Sequence, residues 1–207
     1  NFGGDAFGCA IDPTDANIWY GHSFLNYRRL KTINAGMNWS FINTGTSSGD
    51  QWRMPITMHP TNPQILLTSD YVGMYKTVNG GSLWTVSSAT GDIGAYAYDK
   101  VNPNLVYASQ RNGSIVYSSA DGGSSWVTMT STPGATITNL ATDPLASGVL
   151  YATIGTYTNS KVLKSSDLAT TWINISNNLP NVPVNCLVVD PFDNLIIYAG
   201  NDLGVWV

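Results

Sequence analysis

The chain has 207 residues, a net charge of −4 and 43% apolar but only 11% charged residues, against about 25% charged in an ordinary globular domain. All 13 acidic residues are Asp, and the nine Lys and Arg are scattered apart from Arg28-Arg29, so no basic stripe exists to displace counterions from a phosphate backbone and nucleic acid is excluded as a partner class. No apolar run approaches the ~20 residues of a membrane span, and the absence of Glu beside abundant Thr, Val, Tyr and Trp points to an all-β protein with helix in under about 5% of residues.

The chain begins at Asn1 without a charged-then-apolar leader, as expected of a processed or internal stretch of something longer. A first repeat opens with Gly4-Asp5 and a strand over residues 6–11. It turns at Asp12-Pro13, resumes at Ile18-Trp19-Tyr20 and reaches Thr32-Ile33-Asn34-Ala35-Gly36-Met37-Asn38-Trp39. The second runs through Gly49-Asp50, His59-Pro60 and Ile65-Leu66-Leu67 to the phrase Thr77 to Trp84. The third runs through Gly91-Asp92, Asn102-Pro103 and Leu105-Val106-Tyr107 to Ser119 to Trp126. The fourth has Asp143-Pro144, Val149-Leu150-Tyr151 and Ser165 to Trp172, with Ala169 where the others carry Gly, so its turn is expected to be less tight. A fifth has Asp190-Pro191 and Ile196-Ile197-Tyr198, and stops at Val205-Trp206-Val207, which aligns with a third strand. The phrase-ending Trp residues are 45, 42 and 46 positions apart.

Each repeat divides into four short apolar runs, in the third roughly 95–98, 105–109, 114–117 and 125–129. A four-stranded antiparallel unit cannot hide both faces alone, so the units must stack. Radial repetition gives a β-propeller of four-stranded blades. The repeats are approximately 5–49, 50–91, 92–134, 135–181 and a partial 182–207, a single propeller segment. With 4–8 blades typical, this is expected to be a fragment of a larger ring. In each phrase the hydroxyl and the Asp or Asn can hydrogen-bond the backbone of their own turn, Gly permits positive φ, and Trp packs over the hairpin. Trp84 and Trp126 are expected to be mostly buried. Cys9 and Cys186, each in an apolar run, read as buried free thiols, and nothing in the sequence pairs them.

The spacing Ser/Thr-x-Asp/Asn-x-Gly-x-x-Trp resembles the Asp-box or BNR repeat across essentially the whole chain. That resemblance is specific for propellers and not for activity, because sialidases, xyloglucan-cleaving glycosidases, sortilin-type receptors, photosystem assembly factors and secreted proteins of gliding bacteria share it. Trp52-Arg53-Met54-Pro55 looks like the sialidase aromatic-Arg-Ile-Pro motif. It follows the first box rather than preceding it, however, no Glu exists to partner a nucleophilic Tyr, and only Arg28, Arg29 and Arg111 could complete a triad. The resemblance to xyloglucan-active propellers is closer. Their catalytic acids lie in second-to-third-strand loops of the form Thr-Asp-x-Gly-Gly-x-Tyr, which Ser69-Asp70-Tyr71-Val72-Gly73-Met74-Tyr75 and Asn201-Asp202-Leu203-Gly204-Val205-Trp206 match in part.

A glycosidase needs two carboxyls about 5–5.5 Å apart for retention or 6.5–9.5 Å for inversion. Asp70 and Asp202 lie three repeats apart and are expected to be well over about 10 Å from each other, so catalysis by this stretch is not expected. The Gly-Asp pairs Gly4-Asp5, Gly49-Asp50 and Gly91-Asp92 before the first strands of the first three repeats instead suggest one ligand-binding face, with Asp50, Trp52, Arg53, Tyr71, Asp92 and Tyr96 as its candidates and Arg111 near it. Aromatic rings among Asp and Asn suit sugar stacking plus hydrogen bonding. No cofactor is expected, and His22 and His59 are too few and too far apart in sequence for a metal site. The sequence thus favours an extracellular or cell-surface propeller module that binds or displays, with a polysaccharide or protein as ligand and the rest of a larger propeller as partner. The alternative is part of an extracellular polysaccharide hydrolase of the xyloglucanase-like type.

Overall fold

The computed structural model describes residues 8–23, 28–47 and 54–207. The chain forms two compact units, residues 1–93 and 94–207. In the first, β1 (Cys9–Ile11), β2 (Trp19–Ser23), β3 (Arg28–Thr32) and β4 (Ser40–Phe41) make one sheet. A second contains β5 (Ile56–Met58), β6 (Leu66–Ser69), β7 (Met74–Thr77) and β8 (Thr85–Ser88). The other unit opens at β9 (Ile93–Tyr98), followed by β10 (Val106–Gln110), β11 (Val116–Ser119) and β12 (Val127–Thr128). Its next sheet is β13 (Ile137–Thr142), β14 (Leu150–Ile154), β15 (Val162–Ser165) and β16 (Ile173–Asn174). The last sheet has three strands, β17 (Val184–Val189), β18 (Ile197–Asn201) and β19 (Gly204–Trp206). Every pairing is antiparallel and follows chain order. No helix among the described residues is long and apolar enough to cross a membrane.

Burial follows position in the blade. The second strands β6 and β14 are buried along their whole length, which is why Leu66-Leu67-Thr68-Ser69 and Leu150-Tyr151-Ala152-Thr153-Ile154 lack polar alternation. The fourth strands β4, β12 and β16 are exposed. Neighbouring sheets within a unit share a core. Tyr20, Ile56, Leu66, Tyr75 and Trp84 pack together in the first unit; Tyr107, Leu140, Leu150 and Leu163 form one cluster in the second, and Tyr151, Val184 and Leu187 another.

The hairpin between third and fourth strands has the same hydrogen bonds in all four complete sheets. The hydroxyl of Thr32, Thr77, Ser119 or Ser165 accepts the amide four residues on, at 3.1, 3.1, 2.8 and 3.0 Å. The Asn34, Asn79, Asp121 or Asp167 side chain accepts another amide four residues beyond itself, at 2.8–2.9 Å. The turn over Ala169 is therefore as tight as the others, contrary to expectation. Ala169 keeps φ at 64° and Leu168 at 61°, so two L-residues sit in the left-handed region, a strain held by these hydrogen bonds.

Three further expectations are corrected. Trp84 is fully buried as expected, with its indole N–H donating to Ile42 O at 2.7 Å and its amide to Thr44 O at 2.9 Å, whereas its counterpart in the next repeat differs. Trp126 is only half-buried, because it leans on the half-exposed ring of Tyr96 at 5.8 Å. Cys9 and Cys186 are free but exposed: Cys9 points outward on β1, and Cys186 shares the outward phase of Val188 while Leu187 and Val189 face inward. The first-turn marker of the third repeat is Asp99 and not Asn102. The amides of Asp12, His59, Asp99, Asp143 and Asp190 each bond the carbonyl six residues on, and Pro103 sits late in its turn where Pro13 sits early.

Asp99 and Asp143 also join sheets. The first accepts its own turn amides at Val101 and Asn102 with one oxygen, and Ser147 Oγ and Gly148 N of the next sheet with the other, at 3.0 and 2.7 Å. The second accepts Leu145 and Ala146 amides and the Asn194 side chain at 3.0 Å.

Candidate functional site

Asp70 and Asp202 both lie, as the sequence predicts, in loops joining second to third strands, between β6 and β7 and between β18 and β19. Their surroundings differ completely. Asp70 ends a fully buried strand and is itself 0% exposed. Its Oδ1 accepts Val72 N at 2.9 Å, Gly73 N at 3.1 Å and Tyr75 OH at 3.3 Å; its Oδ2 accepts Ser47 Oγ at 2.9 Å and pairs with Arg29 at 3.5 Å. Arg29 arrives from β3, donates also to Thr68 Oγ1 and Ser69 O, and lies over the Tyr75 ring. Both oxygens are occupied and water is excluded, so this carboxyl closes a turn and neutralises a buried guanidinium. It has no open approach for a glycosidic oxygen.

Opposite Arg29 on β2 stands His22, 1% exposed, with neither ring nitrogen hydrogen-bonded among the described residues. Burial, with the Arg29 charge adding to it, pushes its pKa down to about 4. The ring is therefore neutral at ordinary pH.

The structure brings Asp70, Tyr71 and Asp92 together. Asp92 N donates to Asp70 O at 2.7 Å, and Asp92 takes a φ of 60°. Gly91 runs so close to the loop that a Cβ would meet Asp70 O at 2.3 Å and the Tyr71 carbonyl carbon at 2.6 Å. The Tyr71 ring beside them is 50% exposed. This patch offers an aromatic face with a carboxylate nearby, suited to stacking and hydrogen bonding a sugar. Tyr96 lies on β9, half-buried against Trp126, and Arg111 follows β10, close against Gly94. Asp50, Trp52 and Arg53 lie outside the described residues.

Asp202 is exposed and accepts Asn185 Nδ2 at 2.9 Å, so it keeps access to solvent. Asp70 and Asp202 belong to separate units. Among the described residues, no three His, Cys or Asp side chains converge as a metal-ligand set. The partners that sequence reasoning missed are Ser47, Tyr75 and, as an ion pair, Arg29. Only Tyr75 had a local signal, since Asp-x-x-Gly-x-Tyr folds the phenol back onto its own loop.

No protein-family profile matches the chain. Over 137 residues it is 31% identical to a xyloglucanase from a Paenibacillus species, covering 56% of this chain and 13% of that enzyme. A crystal structure of an ancestral GH74 enzyme superposes with a TM-score of 0.76 at 21% identity over 96% of this chain and 28% of the other. The GH74 xyloglucanase of Xanthomonas campestris gives 0.76 at 13% identity, over 96% and 35%. The chain thus spans about a third or less of these proteins. The superpositions establish that its sheets are blades of a β-propeller.

Proposed function

We propose that the chain is part of an extracellular, polysaccharide-handling β-propeller of the xyloglucanase-like kind, built on Asp-box repeats, and that these residues bind glycan without cleaving it. The observation that carries the non-catalytic reading is the state of Asp70. In the position that matches the catalytic-loop pattern, the carboxylate is sealed under four donors and paired with Arg29. The exposed Tyr71 ring beside Asp92 supports contact with a sugar, and the similarity to a xyloglucanase indicates the polysaccharide class.

Calorimetric titration with xyloglucan oligosaccharides tests this, alongside an assay for released reducing ends. Saturable binding that weakens about tenfold in Tyr71→Ala, with no new reducing ends, is the expected result. Turnover that disappears in Asp202→Asn would favour the second reading, a hydrolase in which solvent-accessible Asp202 supplies one carboxyl. Binding indifferent to both Tyr71→Ala and Tyr96→Ala would leave the proposed face without a role.

A further inference from the structure

Asn or Asp precedes Gly at three places, Asn79-Gly80, Asn112-Gly113 and Asp121-Gly122. A glycine in second place leaves its amide nitrogen sterically free to approach the Asx side-chain carbonyl carbon. Two of the pairs are tied down by the hairpins that contain them. Gly80 N donates to Gln64 O at 2.9 Å, and Asn79 Oδ1 accepts Thr77 Oγ1 at 2.8 Å and Leu83 N at 2.9 Å. Gly122 N donates to Asn104 O at 2.8 Å, and both Asp121 oxygens are engaged by Ser119, Ser124 and Ser125. In each, amide nitrogen and side chain are held in separate hydrogen bonds, so the two can meet only after the turn opens.

The third pair is built differently. It sits at the tip of the loop between β10 and β11, inside a complete four-stranded sheet and far in sequence from both ends of the chain. Asn112 is exposed, with φ at 56°. Neither its side chain nor the Gly113 N–H has a hydrogen-bond partner among the described residues. The bonds that hold this loop lie to either side of the reactive atoms. Gln110 N donates to Ile115 O, and Gly113 O accepts Ile137 N of the next sheet, each at 2.9 Å. The frame of the loop is fixed while the pair at its tip is free to turn.

We propose that Asn112-Gly113 is a site of spontaneous covalent modification, where the neutral carboxamide becomes aspartate or isoaspartate in the folded protein. The Gly113 amide nitrogen, after losing its proton to hydroxide, attacks Cγ of Asn112. The N–Cγ bond forms, the Cγ–Nδ2 bond breaks, and ammonia leaves with a proton taken from water. Water then opens the resulting succinimide. Attack at Cγ gives an aspartyl peptide, and attack at the main-chain carbonyl leaves the chain running through Cβ as isoaspartyl. One water is consumed and one ammonia released, and no oxidant or cofactor is needed. Either product adds one negative charge to the net −4, next to Arg111 in the chain. The isoaspartyl form also lengthens the backbone between β10 and the Gly113 carbonyl that holds Ile137.

Incubation of the folded 207-residue chain at mildly alkaline pH, followed over time by peptide mapping with mass spectrometry, tests the proposal. The peptide containing Asn112 should gain one mass unit and split into two chromatographic species, at least about tenfold faster than conversion at Asn79. In the urea-unfolded chain the two Asn-Gly pairs should convert at similar rates, because the difference belongs to the fold. Hydrogen exchange at the Ile137 amide should quicken in the converted protein. Asn112→Gln, at an exposed position where folding is not at stake, should abolish the acidic species seen on isoelectric focusing. Conversion at Asn79 as fast as at Asn112 in the folded chain overturns the proposal, as does an acidic species that persists in Asn112→Gln. An Asn112 that stays intact in the folded chain while the unfolded chain converts overturns it too.

Discussion

Arg29 and Asp70, 41 positions apart, meet at 3.5 Å with both side chains essentially withdrawn from water. Removing two charges from solvent is costly, and the pair persists because Thr68, Ser69, Ser47, Tyr75 and two loop amides satisfy what remains. It is a structural joint between two sheets of the first unit.

Breaking that joint from one side leaves a buried charge uncompensated. Asp70→Ala is expected to cost about 3–5 kcal/mol in chemical denaturation. The double variant Arg29→Met with Asp70→Leu should recover much of that loss. An Asp70→Ala protein of undiminished stability would contradict the assignment.

His22 makes acid sensitivity a second observable. The unfolded ring accepts a proton near 6.5, whereas the folded ring resists until about 4. The folded state therefore binds fewer protons in that window. Its stability is full above about 6.5 and declines as pH falls towards 4. His22→Ser, which installs the residue found at the same place in β6 and β10 as Ser69 and Ser109, should flatten stability against pH over this range, measured by denaturation at half-unit steps.

The turn carboxylates respond at lower pH. Asp121 loses solvation in its turn, which alone would raise its pKa. The Ser125 hydroxyl and amide, Ser119 hydroxyl and Ser124 amide outweigh this and hold it at about 2. Its contribution is present above the unfolded value of 3.8 and disappears as pH drops through about 2. At neutral pH, Asp121→Ala should cost about 1 kcal/mol through lost turn hydrogen bonds.

The two central indoles should separate in size of effect. Trp84→Ala removes a fully enclosed ring and its indole N–H bond to Ile42 O and is expected to cost about 3–5 kcal/mol. Trp126→Ala, from a half-buried site, should cost about half as much. Equal losses in urea titrations would mean that burial is not what distinguishes them.

Local chemistry made the hairpins legible. Hydroxyl, Asx, left-handed pair and Trp all act within eight residues, so their spacing alone carries the structure. The first-turn marker slipped by three residues in the third repeat because proline fits either end of that six-residue turn, as Pro60 and Pro63 together show; the anchor is the amide of Asp99. Cys186 faces outward in step with Val188, and an apolar run does not announce which phase of its strand is exposed. Arg29 and Asp70 were visible as residues, but their pairing spans two repeats and has no periodic signature. In the candidate patch, the closeness of Asp92 to Asp70 rests on Gly91 slipping against the neighbouring loop, a contact that only the folded backbone reveals.

The doubled use of Asp99 and Asp143 bears on how such a chain can be cut and rejoined. Each carboxylate shapes its own turn and grips the next sheet through Ser147 and Gly148 or through Asn194. A sheet transplanted alone would carry the grip away from its handhold. Exchange between related chains should therefore succeed when a turn and the following sheet's receptor loop travel together, which sets the smallest swappable cassette at two adjoining sheets.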